Sequence, residues 1–234
     1  EMVSPEQFEA QIRALSEAGY TGVSFDELQA YVLRGELLPE KPVVITFDDG
    51  YLSNYTLAYP ILQKYGMKAT IFAIGVSFGK DHYKDTDYAM TPHFGAAEAA
   101  EMAASGLISI QSHTYDMHQW PPYEDGSAAV RENILQLPGE SEEAYVEALT
   151  QDFTRSREVL QAATGRPVDV LAYPAGQYST LAQVTLQTLG VHVTLSTNPG
   201  VNTVVKGLPQ TLTAMLRFGV TEDLSPEALL EMIQ

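Results

Sequence analysis

Two adjacent acids, Asp48 and Asp49, end an apolar run and are the first residues of the chain that could carry chemistry. Neighbouring side chains in an extended chain point to opposite faces, so the two carboxylates can take different roles. Gly50 follows them and allows the backbone to turn sharply. Because Asp-Gly is also a common turn dipeptide, these residues by themselves fit an ordinary turn as well as a catalytic pair.

Two of the five histidines, His113 and His118, lie five residues apart directly after another apolar run. On an α-helix this spacing would point the two rings in different directions, which excludes the one-face pair of helical zinc proteases. On a turn that leaves a strand, both imidazoles can converge on one point. Two imidazole nitrogens and a carboxylate from another loop form a metal site with open positions for water. The alternative is a pair of unconnected surface histidines.

A third candidate is the turn that runs from Tyr173 through Pro174 and Ala175 to Gly176. Pro and Gly fix an irregular backbone here, and one of its N–H groups could face the same cavity as the acids and the histidines. By itself this turn is weak evidence, because most Pro-x-Gly turns have only a structural role.

Alternating strand-like and helix-like segments must position these three groups. Apolar and β-branched runs predict strands at residues 43–47, 69–74, 107–110, 168–172, 191–195 and 216–220. Helical spacing predicts helices at residues 53–65, 96–104, 141–163 and 181–189, and a closing helix from residue 225. Such alternation implies a parallel sheet with right-handed crossovers, and five or six units favour one α/β barrel over two separate folds.

All three candidate groups follow predicted strands of this barrel. In βα barrels the chemistry lies on loops at the carboxyl ends of the strands. We therefore expect the acids, the histidines and the rigid turn to meet at one site. The polar and aromatic stretch at residues 79–92 is predicted to be a long surface loop near it.

The first forty residues predict helices of a different kind. Ser4 with Gln7, and Ser24 with Glu27, have the spacing of capping boxes that begin helices. Nothing in these helices has the residue types of a chemical site. We expect residues 1–40 to form a helical extension packed on a barrel of residues 41–234, within a single domain overall.

The composition limits the class of function. The chain has 234 residues, with 13 Lys+Arg against 30 Asp+Glu, and its formal charge of −17 argues against a nucleic-acid partner. The absence of cysteine excludes disulfides, thiol catalysis and Cys-ligated zinc. No apolar run approaches the roughly 18 residues needed to cross a bilayer, and no signal peptide is visible.

The three motifs together resemble those of the polysaccharide deacetylases, the NodB-homology family also known as carbohydrate esterase family four. The matching segments are Thr46-Phe47-Asp48-Asp49-Gly50, Ser112-His113-Thr114 with His118, and Tyr173-Pro174 with Gly176. The resemblance covers most of the chain from Pro42 onward. It implies the family fold, a distorted and incomplete (β/α) barrel, which agrees with the alternation of predicted elements.

The resemblance also implies residue roles. Asp49, His113 and His118 would bind a divalent metal, usually zinc in this family, with Co²⁺, Ni²⁺ and Mn²⁺ as alternatives. Asp48 would be the general base that accepts a proton from the attacking water, and the backbone N–H of Ala175 would stabilise the oxyanion.

Four aromatic or rigid residues are candidates for substrate contact: Tyr51, Trp120, Tyr173 and Pro174. An exposed ring at the rim of the cleft can stack on the face of a sugar. For Tyr51 a buried ring, and for Trp120 an ordinary packed loop, fit the sequence equally well.

The chain departs from the family pattern at three places. Ala172 stands where many members have an arginine that orients the base, and Ala175 stands where they have an aromatic residue. No Leu-x-His occurs near the C-terminus, where many members hold the general-acid histidine, and Leu216-Arg217-Phe218 occupies that region instead. The general acid is therefore unassigned.

The leading hypothesis is a metal-dependent hydrolase that removes N-acetyl groups from an N-acetylglucosamine polysaccharide, such as poly-N-acetylglucosamine, chitin or a cell-wall chain. The departures leave two alternatives: a glycan-binding module with little or no turnover, and a small-molecule deacylase on the same fold. The resemblance implies a polysaccharide partner and a location outside the cytoplasm, and the oligomeric state is left open.

Overall fold

The computed structural model describes residues 3–126 and 128–234. Its N-terminal segment comprises helix α1 (Pro5–Glu17), strand β1 (Thr21–Gly22), helix α2 (Phe25–Arg34) and strand β2 (Pro42–Val43), and β1 pairs in parallel with β2. Residues 1 and 2 of the predicted helical extension lie outside the described residues.

The predicted caps of the two N-terminal helices are found, one completely and one in half. Ser24 and Glu27 form a reciprocal capping box at α2. At α1 the Ser4 hydroxyl accepts the Gln7 N–H, but the Gln7 side chain donates to the Leu224 carbonyl instead of returning to Ser4. The second half of that box is therefore replaced by a contact with the C-terminal segment, which draws α1 onto the barrel.

Five short parallel strands form a curled half-barrel, which confirms the predicted incomplete (β/α) barrel. The strands are β3 (Ile45–Phe47), β4 (Ala69–Ala73), β5 (Ile108–Ser112), β6 (Val170–Ala172) and β7 (Val193–Leu195), and each pairs with the next in chain order. Sequential parallel pairing of this kind places all the carboxyl ends at one edge of the sheet.

Helices cross between these strands, close to their predicted positions. They are α3 (Tyr59–Tyr65), which follows a π-helical turn at Asn54–Ala58, α4 (Ala96–Ala104), α5 (Glu142–Thr164), α6 (Thr180–Thr188) and, at the end of the chain, α7 (Pro226–Met232). No helix within the described ranges is both long enough and apolar enough to span a membrane.

The two faces of the sheet bury different hydrophobic clusters. On β4, Ile71 belongs to the larger cluster, which contains Ile12 and Leu15 of α1, whereas the next residue, Phe72, belongs to the smaller one with Phe25 of α2. Alternate residues of a strand point to opposite faces, so β4 joins both clusters. The N-terminal helices thus share both hydrophobic clusters with the strands of the barrel.

The predicted strand at residues 216–220 is wrong. The side-chain amide of Asn202 donates to the Leu216 carbonyl and accepts the Leu216 N–H, at 2.8 and 2.9 Å, and the Arg217 N–H donates to the Asn198 carbonyl. These bonds use the backbone groups that a ladder with β7 would need, so only Met215 bridges to Leu195. The segment crosses the end of the sheet as irregular chain.

Candidate metal centre and active site

The carboxyl ends of β3 and β5 bring Asp49, His113 and His118 together. One ligand atom of each residue lies within 4.8 Å of the others, and Asp49 Oδ1 lies 3.5 Å from His113 Nε2 and 3.8 Å from His118 Nε2. The convergence predicted from strand-end positions is therefore present.

Backbone carbonyls orient both imidazoles. His113 Nδ1 lies 2.8 Å from the Ala172 carbonyl oxygen, and His118 Nδ1 lies 3.1 Å from that of Glu132. Because a carbonyl can only accept, each Nδ1 carries a proton, and each Nε2 lies toward Asp49 and is left to bind a cation. This arrangement is typical of histidines that bind a metal.

The three side chains fit a divalent cation. Asp49 Oδ1 is buried and accepts no hydrogen bond from any residue that the structure describes. Burial and the nearby His113 lower the pKa of His118, so its ring is neutral at pH 7 and able to donate a lone pair. Two imidazole nitrogens and one carboxylate oxygen form a donor set that suits zinc and other divalent ions and leaves coordination positions open.

Arg217 binds Asp48, the neighbour of the candidate ligand Asp49. Its Nη1 and Nη2 atoms donate to the two carboxylate oxygens of Asp48 at 2.7 and 2.9 Å, and its Nε donates to the Ser196 carbonyl. Burial by itself would raise the pKa of Asp48, but the attraction of His113 and the Arg217 pair outweigh it, and the pKa is lowered. Asp48 is therefore an ionised carboxylate in a fixed orientation.

Sequence reasoning missed Arg217. It noted that Ala172 lacks the arginine side chain that orients the base in many family members, and it left residue 217 without a role. The structure supplies a guanidinium to Asp48 from the irregular segment after β7 instead. The available signal was a lone basic residue between Leu216 and Phe218, two apolar neighbours.

The turn after β6 is strained in the way that its residue types suggest. Ala175 and Gly176 both have positive φ, 54° and 68°. A Cβ atom on Gly176 would lie 2.1 Å from Thr197 Oγ1, so only glycine fits there. The hydrogen bonds of the turn are donated by Gly176 and Gln177, and the Ala175 N–H is not among its donors.

Two of the four candidate substrate contacts, Tyr173 and Pro174, have buried side chains. Tyr173 is 0% exposed, with its ring stacked on Tyr178, and the neighbouring Pro174 is also buried. Side chains enclosed in the core have no surface left for a glycan. Trp120 is 58% exposed and Tyr51 is partly exposed, so both remain accessible from solvent.

A third histidine, His93, is buried beside Tyr51. The two ring centroids are 4.9 Å apart, and His93 is 9% exposed with an Nδ1 atom that has no partner within the described residues. Burial lowers its pKa, and the opposing attraction comes from Asp49. His93 thus belongs to the surroundings of the candidate metal centre.

The predicted surface loop at residues 79–92 is attached to the segment that follows His118. The Tyr83 hydroxyl donates to Glu124 and accepts the Trp120 N–H, and Lys84 pairs with Glu124 and Asp116. The ring of Tyr88 stacks on Tyr123 at 4.9 Å. These contacts place a group of aromatic side chains next to the chain segment that carries His118.

Comparison with known proteins supports one family. The family model described as polysaccharide deacetylase matches residues 36–194. A putative polysaccharide deacetylase of Bacillus subtilis, YxkH, is 31% identical over 85% of this chain and 60% of its own length. The poly-beta-1,6-N-acetyl-D-glucosamine N-deacetylase of Staphylococcus aureus is 30% identical over 74% of this chain and 53% of its own. The chain thus spans little more than half the length of these two relatives.

Solved structures agree with the fold. IcaB from Ammonifex degensii superposes with a TM-score of 0.75 and 28% identity, over 97% of this chain and 88% of that one. A de-N-acetylase from Aggregatibacter actinomycetemcomitans reaches a TM-score of 0.81 at 23% identity, over 98% and 89% of the two chains, which is a likeness of fold.

Proposed function

The chain belongs to the polysaccharide deacetylase family, and from this premise we propose that it is a metal-dependent hydrolase that removes N-acetyl groups from an N-acetylglucosamine polysaccharide. The observation that carries the proposal is the convergence of Asp49, His113 and His118 beside an ionised Asp48 that Arg217 holds in place. Relatives named as poly-beta-1,6-N-acetyl-D-glucosamine N-deacetylases support poly-N-acetylglucosamine as the first substrate to test.

Asp49, His113 and His118 would hold the metal, and zinc is the ion that we propose. When bound, such an ion lowers the pKa of a water molecule and polarises the carbonyl of the acetamido group. The donor set also suits Co²⁺, Ni²⁺ and Mn²⁺. The ion that binds therefore depends on which metals are available to the protein as well as on the ligands.

Asp48 would act as the general base. It takes the proton of the attacking water, and its pair with Arg217 keeps it ionised and oriented before attack. Once protonated, Asp48 is also the residue that we propose to return a proton to the leaving amine. The backbone N–H of Ala175, which does not donate within its own turn, would donate to the oxyanion of the tetrahedral intermediate.

Tyr51 and Trp120 remain as proposed contacts with the glycan. Tyr51 follows the two acids directly, and Trp120 exposes its ring two residues after His118. Exposed aromatic rings stack favourably on the apolar face of a sugar. Because glycans of this kind lie outside the cytoplasm, we propose an extracytoplasmic location for the activity.

The test of the proposal is acetate release from poly-N-acetylglucosamine oligomers by Asp49→Ala. We expect the wild-type protein to release acetate after zinc is added to chelator-treated protein, and Asp49→Ala to lose at least about 10²-fold in rate, because a three-residue site loses its only anionic ligand. Glu17→Ala, which removes an exposed carboxylate of α1, is the control and should retain full activity.

Equal rates for the wild-type protein and Asp49→Ala would overturn the mechanism. Binding of chitooligosaccharide with no acetate release by the wild-type protein would favour a binding module. Release from a monosaccharide as fast as from an oligomer would favour a small-molecule deacylase.

A further inference from the structure

One face of α5 contacts the loop that carries the two candidate histidine ligands. Three residues within a single helical turn make these contacts: Asp152, Arg155 and Ser156. The guanidinium of Arg155 lies 4.7 Å from the centroid of the Tyr115 ring, and the Ser156 hydroxyl is 2.8 Å from that of Ser112. The loop between His113 and His118 therefore packs directly against α5.

Asp152 makes the most direct of these contacts. Its Oδ1 accepts the Tyr115 N–H at 2.8 Å, and its Oδ2 accepts the Asp116 N–H at 2.7 Å. Tyr115 and Asp116 are two of the four residues between His113 and His118. One carboxylate thus holds two consecutive backbone groups midway between two candidate metal ligands.

The loop needs such a partner because its backbone is irregular. Thr114 has a φ of 70°, an unfavourable value for a β-branched residue, and the strand ladder of β5 ends at Ser112. The His113 N–H still donates to the Ala73 carbonyl of β4, but the next N–H, that of Thr114, is accepted by the Ser112 hydroxyl. Side chains therefore replace the sheet as the source of hydrogen-bond acceptors for this loop.

We infer that Asp152 is a positioning residue of the metal centre: by accepting the Tyr115 and Asp116 N–H groups it fixes the distance and the mutual orientation of His113 and His118. The inference rests on the proposed function only in taking those histidines as metal ligands. Without this carboxylate, the Tyr115 and Asp116 N–H groups would lose their acceptor, and the His118 imidazole would be free to move relative to Asp49.

The electrostatic setting of Asp152 is consistent with this role. Burial raises its pKa to about 6, against the lowering effect of the two N–H donors. Asp116 raises the pKa further and Arg131 lowers it. A buried carboxylate is unfavourable for folding unless its hydrogen bonds compensate, and here both oxygens have backbone donors in the same loop.

The test is zinc affinity measured by competition with a chromophoric chelator, without any glycan. We expect Asp152→Ala to raise the Kd for zinc by about 10- to 100-fold, the range seen when groups that orient metal ligands are removed. Asp152→Asn, which keeps the shape and one acceptor oxygen, is the second variant should Asp152→Ala fold poorly, and it should also bind zinc more weakly than wild type.

A second readout separates positioning from general stability. In the metal-free protein, amide hydrogen exchange of the peptide that spans residues 113–118 should become faster in both Asp152 variants, while exchange in β4 is unchanged. The matched control is Leu160→Ala, which removes a buried side chain from the same helix two turns away. It should lower the melting temperature and leave the zinc Kd within about twofold of wild type.

Unchanged zinc affinity in both Asp152 variants would overturn the inference, as would an equal loss of affinity in Leu160→Ala. Failure of the proposed function is a separate result, because the wild-type protein would then not bind zinc at all, or would bind it without releasing acetate.

Discussion

At the scale of single residues, the centre depends on groups that fix protons and orientation. The Nδ1 protons of the two candidate histidine ligands are held by the carbonyls of Ala172 and Glu132, and Asp48 is held by Arg217. The Nε2 atoms of both histidines thus lie toward Asp49, and both oxygens of Asp48 accept from one guanidinium. Arg217 thus supplies a guanidinium to Asp48 in a chain that has alanine at residue 172.

Replacing Arg217 tests whether this residue orients Asp48, as an arginine at the position of Ala172 does in many family members. We expect Arg217→Ala to lower kcat/KM for deacetylation by about 10²-fold, because Asp48 loses both its orientation and the cation that keeps it ionised. Arg217→Lys should recover only part of the loss, since a single ammonium cannot replace two parallel N–H donors. Steady-state kinetics on an oligomer measures both variants, and wild-type rates in Arg217→Ala would show that Asp48 needs no orienting partner.

The raised pKa of Asp152 predicts a pH-dependent contribution to stability. The folded state binds this proton more tightly than the unfolded state, so the group favours folding at pH 5 and loses that contribution as the pH rises past about 6. Asp152→Asn removes the titration. We therefore expect the unfolding free energy of Asp152→Asn, relative to wild type, to be higher at pH 7.5 than at pH 5 by about 1 kcal/mol.

Urea denaturation of the metal-free proteins at the two pH values measures this difference. The unfolding free energy at pH 5 is subtracted from that at pH 7.5 for each protein separately. Any effect of the substitution that does not depend on pH cancels in this subtraction. A difference that does not change with pH, or that changes with the opposite sign, would contradict the assignment of the raised pKa to Asp152.

At the scale of elements, the centre is assembled from strand ends and from the irregular chain that follows them. β3 ends at the two acids, β5 ends at the histidine loop, and β6 ends at the turn that contains Ala175. The segment after β7 delivers Arg217 because Asn202 takes the backbone groups of Leu216 and prevents a further strand.

The turn after β6 should tolerate no side chain at Gly176. We expect Gly176→Ala to lower the unfolding free energy by more than about 2 kcal/mol and to reduce activity, because the new Cβ would meet Thr197 and the residue keeps a positive φ. Gly207→Ala is the matched control, since Gly207 has a φ of 77° and a Cβ added there would have no atom within 4 Å.

Thermal and urea unfolding of both glycine variants separate two effects: the backbone strain of alanine at positive φ, which both variants have, and the clash with Thr197, which only Gly176→Ala has. The control should lose only about 1 kcal/mol, the usual penalty of a left-handed conformation for alanine. Equal losses in the two variants would show that the contact with Thr197 is relieved by a small movement.

At the scale of the whole molecule, the formal charge of −17 bears on substrate and product differently. An N-acetylated glycan is neutral, whereas removal of acetyl groups leaves amines, a fraction of which are protonated to ammonium at pH 7. Long-range attraction between opposite charges is screened by salt over about 10 Å at 0.1 M. The protein should therefore bind the deacetylated chain with a strong dependence on salt and the acetylated chain with little.

Binding measured at 50 mM and 500 mM salt tests this prediction on fully acetylated and fully deacetylated oligomers of one length. We expect the affinity for the deacetylated oligomer to fall by at least about tenfold between the two salt concentrations, and that for the acetylated oligomer to change by less than about twofold. Equal salt dependence for both oligomers would show that the overall charge has no part in binding.

Features with a local signal could be predicted from the residues alone. The capping residues Ser24 and Glu27, the helix at 96–104 and the alternation of strands and helices follow from propensity and periodicity over a few residues. The rule that parallel strands share a carboxyl edge then predicted that Asp49, His113 and His118 would meet, and the family resemblance, which is confirmed, gave them roles.

Contacts between distant parts of the chain depend on packing that no local pattern encodes. Arg217 and Asp48 are 169 residues apart, and Asp152 reaches the histidine loop from a helix that begins 24 residues after it. The carbonyls of Ala172 and Glu132 bind histidines through backbone atoms that every residue has, so no residue type signals them. The burial of Tyr173 was also not predictable from its neighbours in the chain. It depends on how the surrounding elements pack against the end of β6.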